Sequence, residues 1–358
     1  MIQVIVGLCS SIGSQNLFAR KGSSAVYEDP FDVGAGGASL TRAAQAGILF
    51  SNPALLPYGD GFHRWVGAEP SVLVGKESLS LASELSSGAE SDPAALIDTL
   101  TKTPLHFGLS NAVSYMNKGF GLAIFNRFEP DLFVRKYGDT GLPQINFQAE
   151  SYHGAAFSLA SLVATRMISL GITGKYLYAA EPNLNLEVTD EAAMSKITST
   201  TGMQSLVEHN TGFGFDVGAI LFKQGYNFDL KLALKGDDIG GTKLSGSGTL
   251  KEIPASYHAG LAATIHGGVD AIHLAIDYRD VQGAYEEKMF KKVRLSSKFL
   301  FKRYVGIGVG LRDGWLAYSG EVDLILLRIT AATWTKELGD SPGVDSRKIY
   351  SLGIAMGF

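Results

Sequence analysis

The stretch YNFDLKLALK sets Tyr226, Phe228, Leu230, Leu232 and Leu234 on one side of an extended chain, with Asn227, Asp229, Lys231, Ala233 and Lys235 opposite them. A period of two residues describes a strand with one apolar face and one polar face, and it fits no helix. The pattern returns along the chain. Ile168, Leu170, Ile172, Tyr176 and Tyr178 back onto Ser169, Thr173 and Lys175, while Ile272, Leu274, Ile276 and Tyr278 back onto His273, Asp277 and Arg279. Each row lasts about nine to eleven residues, the length of a tilted strand crossing a bilayer.

A soluble sandwich alternates too, so composition has to separate the two. Hydrophobic residues make up 46% of the chain and charged ones only 18%, against a usual charged share of about 25%. Long strands, little proline, small or charged residues on one face and aromatics near the row ends suit a barrel wet inside and apolar outside. Exposed to water, that outer surface would aggregate. The expected fold is all-β: a transmembrane antiparallel β-barrel of about 14 strands in the outer membrane. Strands are expected near 61–83, 104–117, 119–135, 143–164, 167–188, 211–224, 226–236, 255–267, 270–281, 291–302, 303–312, 315–326, 327–336 and 347–358. Connectors after even-numbered strands are tight and most of those after odd-numbered strands are long, the habit of periplasmic turns and outer loops. Two of the long loops, SDPAALIDTLTK and TDEAAMSKIT, carry helix-start signals.

The last strand, KIYSLGIAMGF, alternates to its end. A closing strand must pair with the first, because a free edge is not tolerated in lipid. Ser351, Gly353, Met356 and Phe358 match the terminal assembly signal of outer-membrane barrels, which implies the barrel-assembly machinery and membrane lipid as partners.

The N-terminal part reads differently. Residues 1–19 have the apolar core of a secretory leader, without a basic residue before it. Residues 20–60 are rich in small residues and not strand-like, and 61–358 form the barrel region. The run Gly34 to Ala38 followed by Asn52, Pro53 and Ala54, together with TKELGDSP before a final strand ending in Gly-Phe, resembles the FadL family of long-chain fatty-acid transporters and the related spirochaetal and TraF-like outer-membrane proteins. The resemblance covers about a quarter of the chain. It implies a fourteen-stranded barrel whose lumen is plugged by an N-terminal hatch and which passes hydrophobic compounds by diffusion. On that footing Phe31, Asp32, Asn52, Pro53 and Ala54 are the hatch or gate candidates. The family carries an inward kink in its third strand; Phe128, Glu129 and Pro130 are the matching wall-opening candidates, since Pro130 cannot donate to a sheet ladder. The triplet is expected beside that break, with Asn52 bonding a carbonyl that Pro130 leaves unpaired.

Asp229, Lys231, His258, His266, His273 and Asp277 fall on polar faces and are expected to line the lumen. Three lumenal imidazoles could hold a metal, but with no carboxylate or cysteine at fixed spacing they read as pore lining. A net charge of −4 with no basic stripe argues against nucleic acid. Cys9 is the only cysteine, so an intramolecular disulfide is impossible. There is no Gly-x-Ser-x-Gly elbow, and GDDIGG lacks the lysine of a phosphate loop and reads as a flexible glycine loop. No cofactor and no enzyme activity are expected. The expectation is a monomer that moves hydrophobic small molecules, long-chain fatty acids or similar lipids; the rival is a non-transporting scaffold, adhesin or secretion-apparatus component acting through its outer loops.

Overall fold

The structure is a computed structural model describing residues 26–43, 46–58, 66–79, 101, 103–135, 144–163, 167–187, 207–268, 270–285, 287–302, 304–339 and 341–357. Residues 1–19, read as a leader, lie outside the described residues, as do Phe358 and nearly all of the two helical loop readings.

Fourteen staves close into one antiparallel barrel. They are β1 in two pieces (Val66–Ala68 and Ser71–Gly75), β2 (Leu105–Met116), β3 (Phe120–Arg135), β4 (Gln144–Val163), β5 in two pieces (Ile168–Ala180 and Asn183–Glu187), β6 (Asn210–Gln224) and β7 (Phe228–Asp237). The second half is β8 (Ser256–Gly267), β9 (Asp270–Tyr278), β10 (Val293–Phe301), β11 (Val305–Arg312), β12 (Trp315–Asp323), β13 (Leu327–Glu337) and β14 (Ser346–Gly357). Each pairs with its sequence neighbour, and β14 returns to β1 through Leu352↔Val72 and Gly67↔Gly357. Both interruptions fall at prolines, which have no N–H to give a ladder. At the first, Glu69 N still donates to Ala112 O and Pro70 O still accepts from Ile354 N, so the register to both neighbours is unchanged across the gap. At the second, Pro182 O accepts from Ala149 N. The first stave is shorter than expected, because the chain turns helical at Lys76–Leu79.

The alternation sorts the two faces. Leu230, Leu232 and Leu234 point outward and exposed while Lys231 and Lys235 are buried inside, and Tyr350, Leu352, Ile354 and Met356 repeat the arrangement on β14. Outward aromatics gather at both ends of the wall: Tyr115, Phe120 and Phe157 near the short turns, and Tyr176 against Phe213, 4.9 Å between centroids, toward the long loops. An apolar belt flanked by aromatic girdles is the surface a bilayer requires. No helix among the described residues is long and apolar enough to cross a membrane; the strands cross it.

GDDIGG is not a loose loop. The connector between β7 and β8 folds into short pairings, Thr242–Lys243 with Glu252–Ile253 and Ser245–Gly246 with β6. It is held because Asp238 is drawn down to Lys175 at 3.1 Å, and because the buried Asn210 side chain clamps Gly248 from both sides, donating to its O and accepting from its N.

Candidate functional site

Residues 26–43 and 46–58 occupy the lumen. Asp29 caps the short helix α1 (Pro30–Gly34), accepting from Phe31 N and Asp32 N, and Pro30 stands at its first turn. Beyond the helix, Gly36 and Gly37 take φ of +104° and +76°, a region open to glycine. The turn lays the chain flat on β10 and β11, where a Cβ on Gly310 would stand 2.6 Å from the Ala35 carbonyl carbon.

One side of this segment is ionic. Glu28 pairs with Arg312 at 2.8 Å and Arg294 at 3.1 Å, Asp29 with Arg328 at 2.6 Å, and Asp32 with Lys298 at 2.5 Å. Farther along, Asp277 of β9 accepts from Ser39 N and Leu40 N and binds Arg279. Burial alone would raise the Glu28 carboxyl, but the Arg312 and Arg294 guanidiniums outweigh it and hold the group well below the usual carboxylate range. Desolvated charges are tolerable here because each has a partner. The pairs fasten the segment to β9, β10, β11 and β13.

The other side is apolar. Helix α2 (Gly47–Ser51) and a 3₁₀ turn (Pro53–Tyr58) present Leu49, Phe50, Leu55 and Leu56 to the opposite wall. Leu49 fills the space over Gly121 of β3, where a Cβ would meet it at 2.5 Å. Phe50 stacks edge-on against Phe125, 5.0 Å between centroids, and Tyr58 meets Phe222 at 5.1 Å. These residues belong to one contiguous buried cluster. It begins under the outer β7–β8 hairpin at Leu244, Leu250 and Ile253, continues through Leu177, Phe50 and Phe125, and ends at Leu56, Tyr58 and Phe222 near the short-turn end.

The sequence-derived candidates separate accordingly. Phe31 and Asp32 lie on the ionic side, with Lys298 beneath the Phe31 ring. Asn52, Pro53 and Ala54 lie on the apolar side, but not beside Phe128 to Pro130. They pack on β5 and β6, where a Cβ on Gly171 would stand 2.6 Å from Ala54 N. Asn52 donates to Leu40 O at 3.2 Å and accepts from Ala54 N at 3.1 Å, so its amide folds the segment on itself rather than answering a carbonyl freed by Pro130. The reason is reach: the triplet sits by the first residues of β5, whereas Pro130 lies ten residues up β3.

Pro130 does not end its strand. β3 pairs with β4 throughout, Pro130↔Ala149 included, while the pairing to β2 lapses between His106↔Asp131 and Leu109↔Phe128 without a change of register. Behind the lapse the stem of Glu129 fills the space over Gly108, 2.8 Å from where a Cβ would be. Its carboxylate joins Arg127, Glu150 and Lys336 in a buried cluster with contacts of 2.8–3.2 Å.

Lys231, His258, His273 and Asp277 are buried and inward. His258 bonds Asp237 and accepts from Asp280 N, and His273 meets Thr264. Asp229 and His266 pair at 2.7 Å at the short-turn rim, where His266 is exposed rather than lining the interior. Among the described residues no group of three or more His, Cys, Asp or Glu could hold a metal ion. The basic anchors Arg294, Lys298, Arg312 and Arg328 were not singled out from sequence. Their signal was there: in VRLSSKFLF, Arg294, Ser296 and Lys298 alternate with outward Leu295 and Phe299.

No family model matches the sequence, and no curated protein does. Solved structures do. The "TodX deltaS2S3 mutant monoaromatic hydrocarbon channel" is 12% identical with a TM-score of 0.50, over 92% of this chain and 99% of that one. The toluene transporter TodX of P. putida is 11% identical with a TM-score of 0.48, over 94% and 99%. At such identity the likeness to the first is one of fold, and it agrees with the closed fourteen-stave barrel and apolar belt: the chain is a multi-pass outer-membrane β-barrel.

Proposed function

We propose that this barrel passes hydrophobic compounds across the outer membrane by diffusion, along the apolar side of its lumenal segment. The observation that carries the reading is the two-sidedness of the lumenal segment, with ion pairs toward β9–β13 and one unbroken apolar cluster on the other side, from the outer hairpin to the short-turn end. Among the described residues the apolar side is tied to the wall by the hydrogen bonds of Lys235 to Phe50 O and of Thr173 to Leu49 O rather than by ion pairs, so the segment acts as a hatch that swings on its ionic side. A greasy ligand replaces the contacts that Leu49, Phe50 and Leu55 lose, which offsets the cost of exposing them.

The elongated seam favours a flexible chain over a compact ring, and we assign long-chain fatty acids as the ligand class. Lateral release through the lapse between β2 and β3 requires Glu129 to leave Gly108. Phe50→Asp and Leu55→Asp each place a carboxylate in the seam; each should lower oleate uptake at least tenfold in a host deficient in fatty-acid transport, with the barrel's heat-modifiable gel migration unchanged. Unaltered uptake in both variants refutes the route. A parent protein that admits toluene but not oleate reassigns the ligand to the class named for the structural neighbours. One that admits neither moves the scaffold or adhesin reading ahead.

A further inference from the structure

On the outer face of the wall, away from the lumen, two histidines converge on one hydroxyl. Ser151 and His153 are successive outward residues of β4, and His209 immediately precedes β6. The strand between them offers Ala180 opposite Ser151 and Tyr178 opposite His153. The small Ala180 side chain lets His209 reach across β5. Nε2 of His153 and Nε2 of His209 each lie 2.9 Å from Ser151 Oγ, and the rings are 5.3 Å apart. Tyr178 stacks on His209 at 4.4 Å with the rings 19° from parallel, which fixes that imidazole plane.

A hydroxyl has one proton, so it can donate to only one of the two nitrogens. At most one Nε2 accepts that proton, and both Nε2 atoms face the same point. A partner that fixes the ring plane, as Tyr178 does for His209, is what orients a histidine toward a metal.

We propose that His153 and His209 form a two-imidazole site for a borderline divalent metal ion, of the Zn²⁺ or Cu²⁺ class, on the outer wall near the aromatic pair Tyr176–Phe213. Two nitrogen ligands leave positions open for water or a lipid headgroup, and imidazole suits these ions. Ser151 competes for the nitrogens when the site is empty and turns aside when it fills. The ion would tie β4 to the start of β6 across β5.

The test uses Cu²⁺ alone with the full-length barrel folded in detergent at pH 7.5. Electron paramagnetic resonance should show one bound ion per barrel, split by two imidazole nitrogens. His153→Ala and His209→Ala should each weaken binding at least tenfold, with heat-modifiable migration retained. His266→Ala, at the opposite rim, should leave it unchanged, and Ser151→Ala should keep or tighten it. If His209→Ala fails to fold, His209→Gln preserves a partner for Ser151 and should show the same loss. Equal binding by the parent and both histidine variants means an adventitious ion only and overturns the proposal, as does no binding at a hundredfold excess of Cu²⁺.

Discussion

Gly171 of β5 lies against the Ala54 nitrogen so closely that a Cβ on the glycine would stand 2.6 Å from it. The neighbouring pair partner, Gly218 of β6, is filled in the same way by the Asn52 side chain. Wall and lumenal segment are therefore fitted to each other at backbone level, and side chains on the wall would part them. Gly171→Val should displace the segment from β5 and β6 at a cost of about 1–3 kcal/mol, the usual penalty of overpacking. Limited proteolysis should then cut within residues 46–58 while the barrel stays resistant; a segment as protected as in the parent would contradict this fit.

The second prediction concerns the two faces of β7. Leu230 is exposed and Lys231 is buried in the lumen near the rings of Tyr58 and Phe222. Leu230→Arg, one position from the short-turn rim, should cost up to about 1 kcal/mol, and the same change at the exposed Leu234, deeper in the belt, about 2–4 kcal/mol. Lys231→Leu keeps volume, gives up a buried charge and should cost less than about 1 kcal/mol. Urea titration of folding into lipid vesicles measures all three, and a larger cost at Lys231 than at Leu234 would turn the barrel inside out.

The ionic anchors give a third. Arg328→Ala leaves Asp29 and Glu321 without the guanidinium they share, and stranding a buried charge costs about 3–5 kcal/mol. Adding Asp29→Asn to that variant should recover part of the loss. Protease protection of the segment in urea, with and without the second change, is the measurement.

Acid provides a fourth. The folded Glu28 carboxyl is held below its unfolded value of about 4.3. A depressed carboxylate contributes stability that is present above the unfolded pKa and lost as the pH falls through the folded one. Glu28→Gln should therefore weaken docking of the segment at pH 7, and its deficit should shrink only below about pH 4. A deficit that already closes between pH 7 and 5 would place the anchor elsewhere.

Pro130→Val is a fifth. It restores an N–H where the ladder to β2 lapses and should stabilise the wall by about 0.5–1.5 kcal/mol if a β2 carbonyl accepts it. With release through this lapse, oleate uptake falls in the same variant.

The staves were legible because their code is local. Leu230, Leu232 and Leu234 declare an outer face without reference to any other strand, and the observed bounds lie within a few residues of those expected except in β1. The interior was less legible because its code is relational. Nothing near Asn52 announces Gly171 and Gly218 as the surface that receives it. Asp29 and Arg328 are 299 positions apart and only the closed barrel brings them together. Pro130 is legible in part: a missing donor on one side of a strand leaves the other side free to pair, so the proline thins the ladder to β2 without ending the strand.

The glycine notches also bear on how the barrel assembles. The segment is seated on β3, β5 and β6 through Gly121, Gly171 and Gly218, and on β8, β11 and β12 through Gly260, Gly310 and the Ser319–Phe31 bond. A piece keyed to so much of the circumference is expected to be enclosed as the sheet curls rather than threaded into a finished tube. On that expectation the lumenal segment acts as a mandrel for the wall, and chain closure between β1 and β14 comes last.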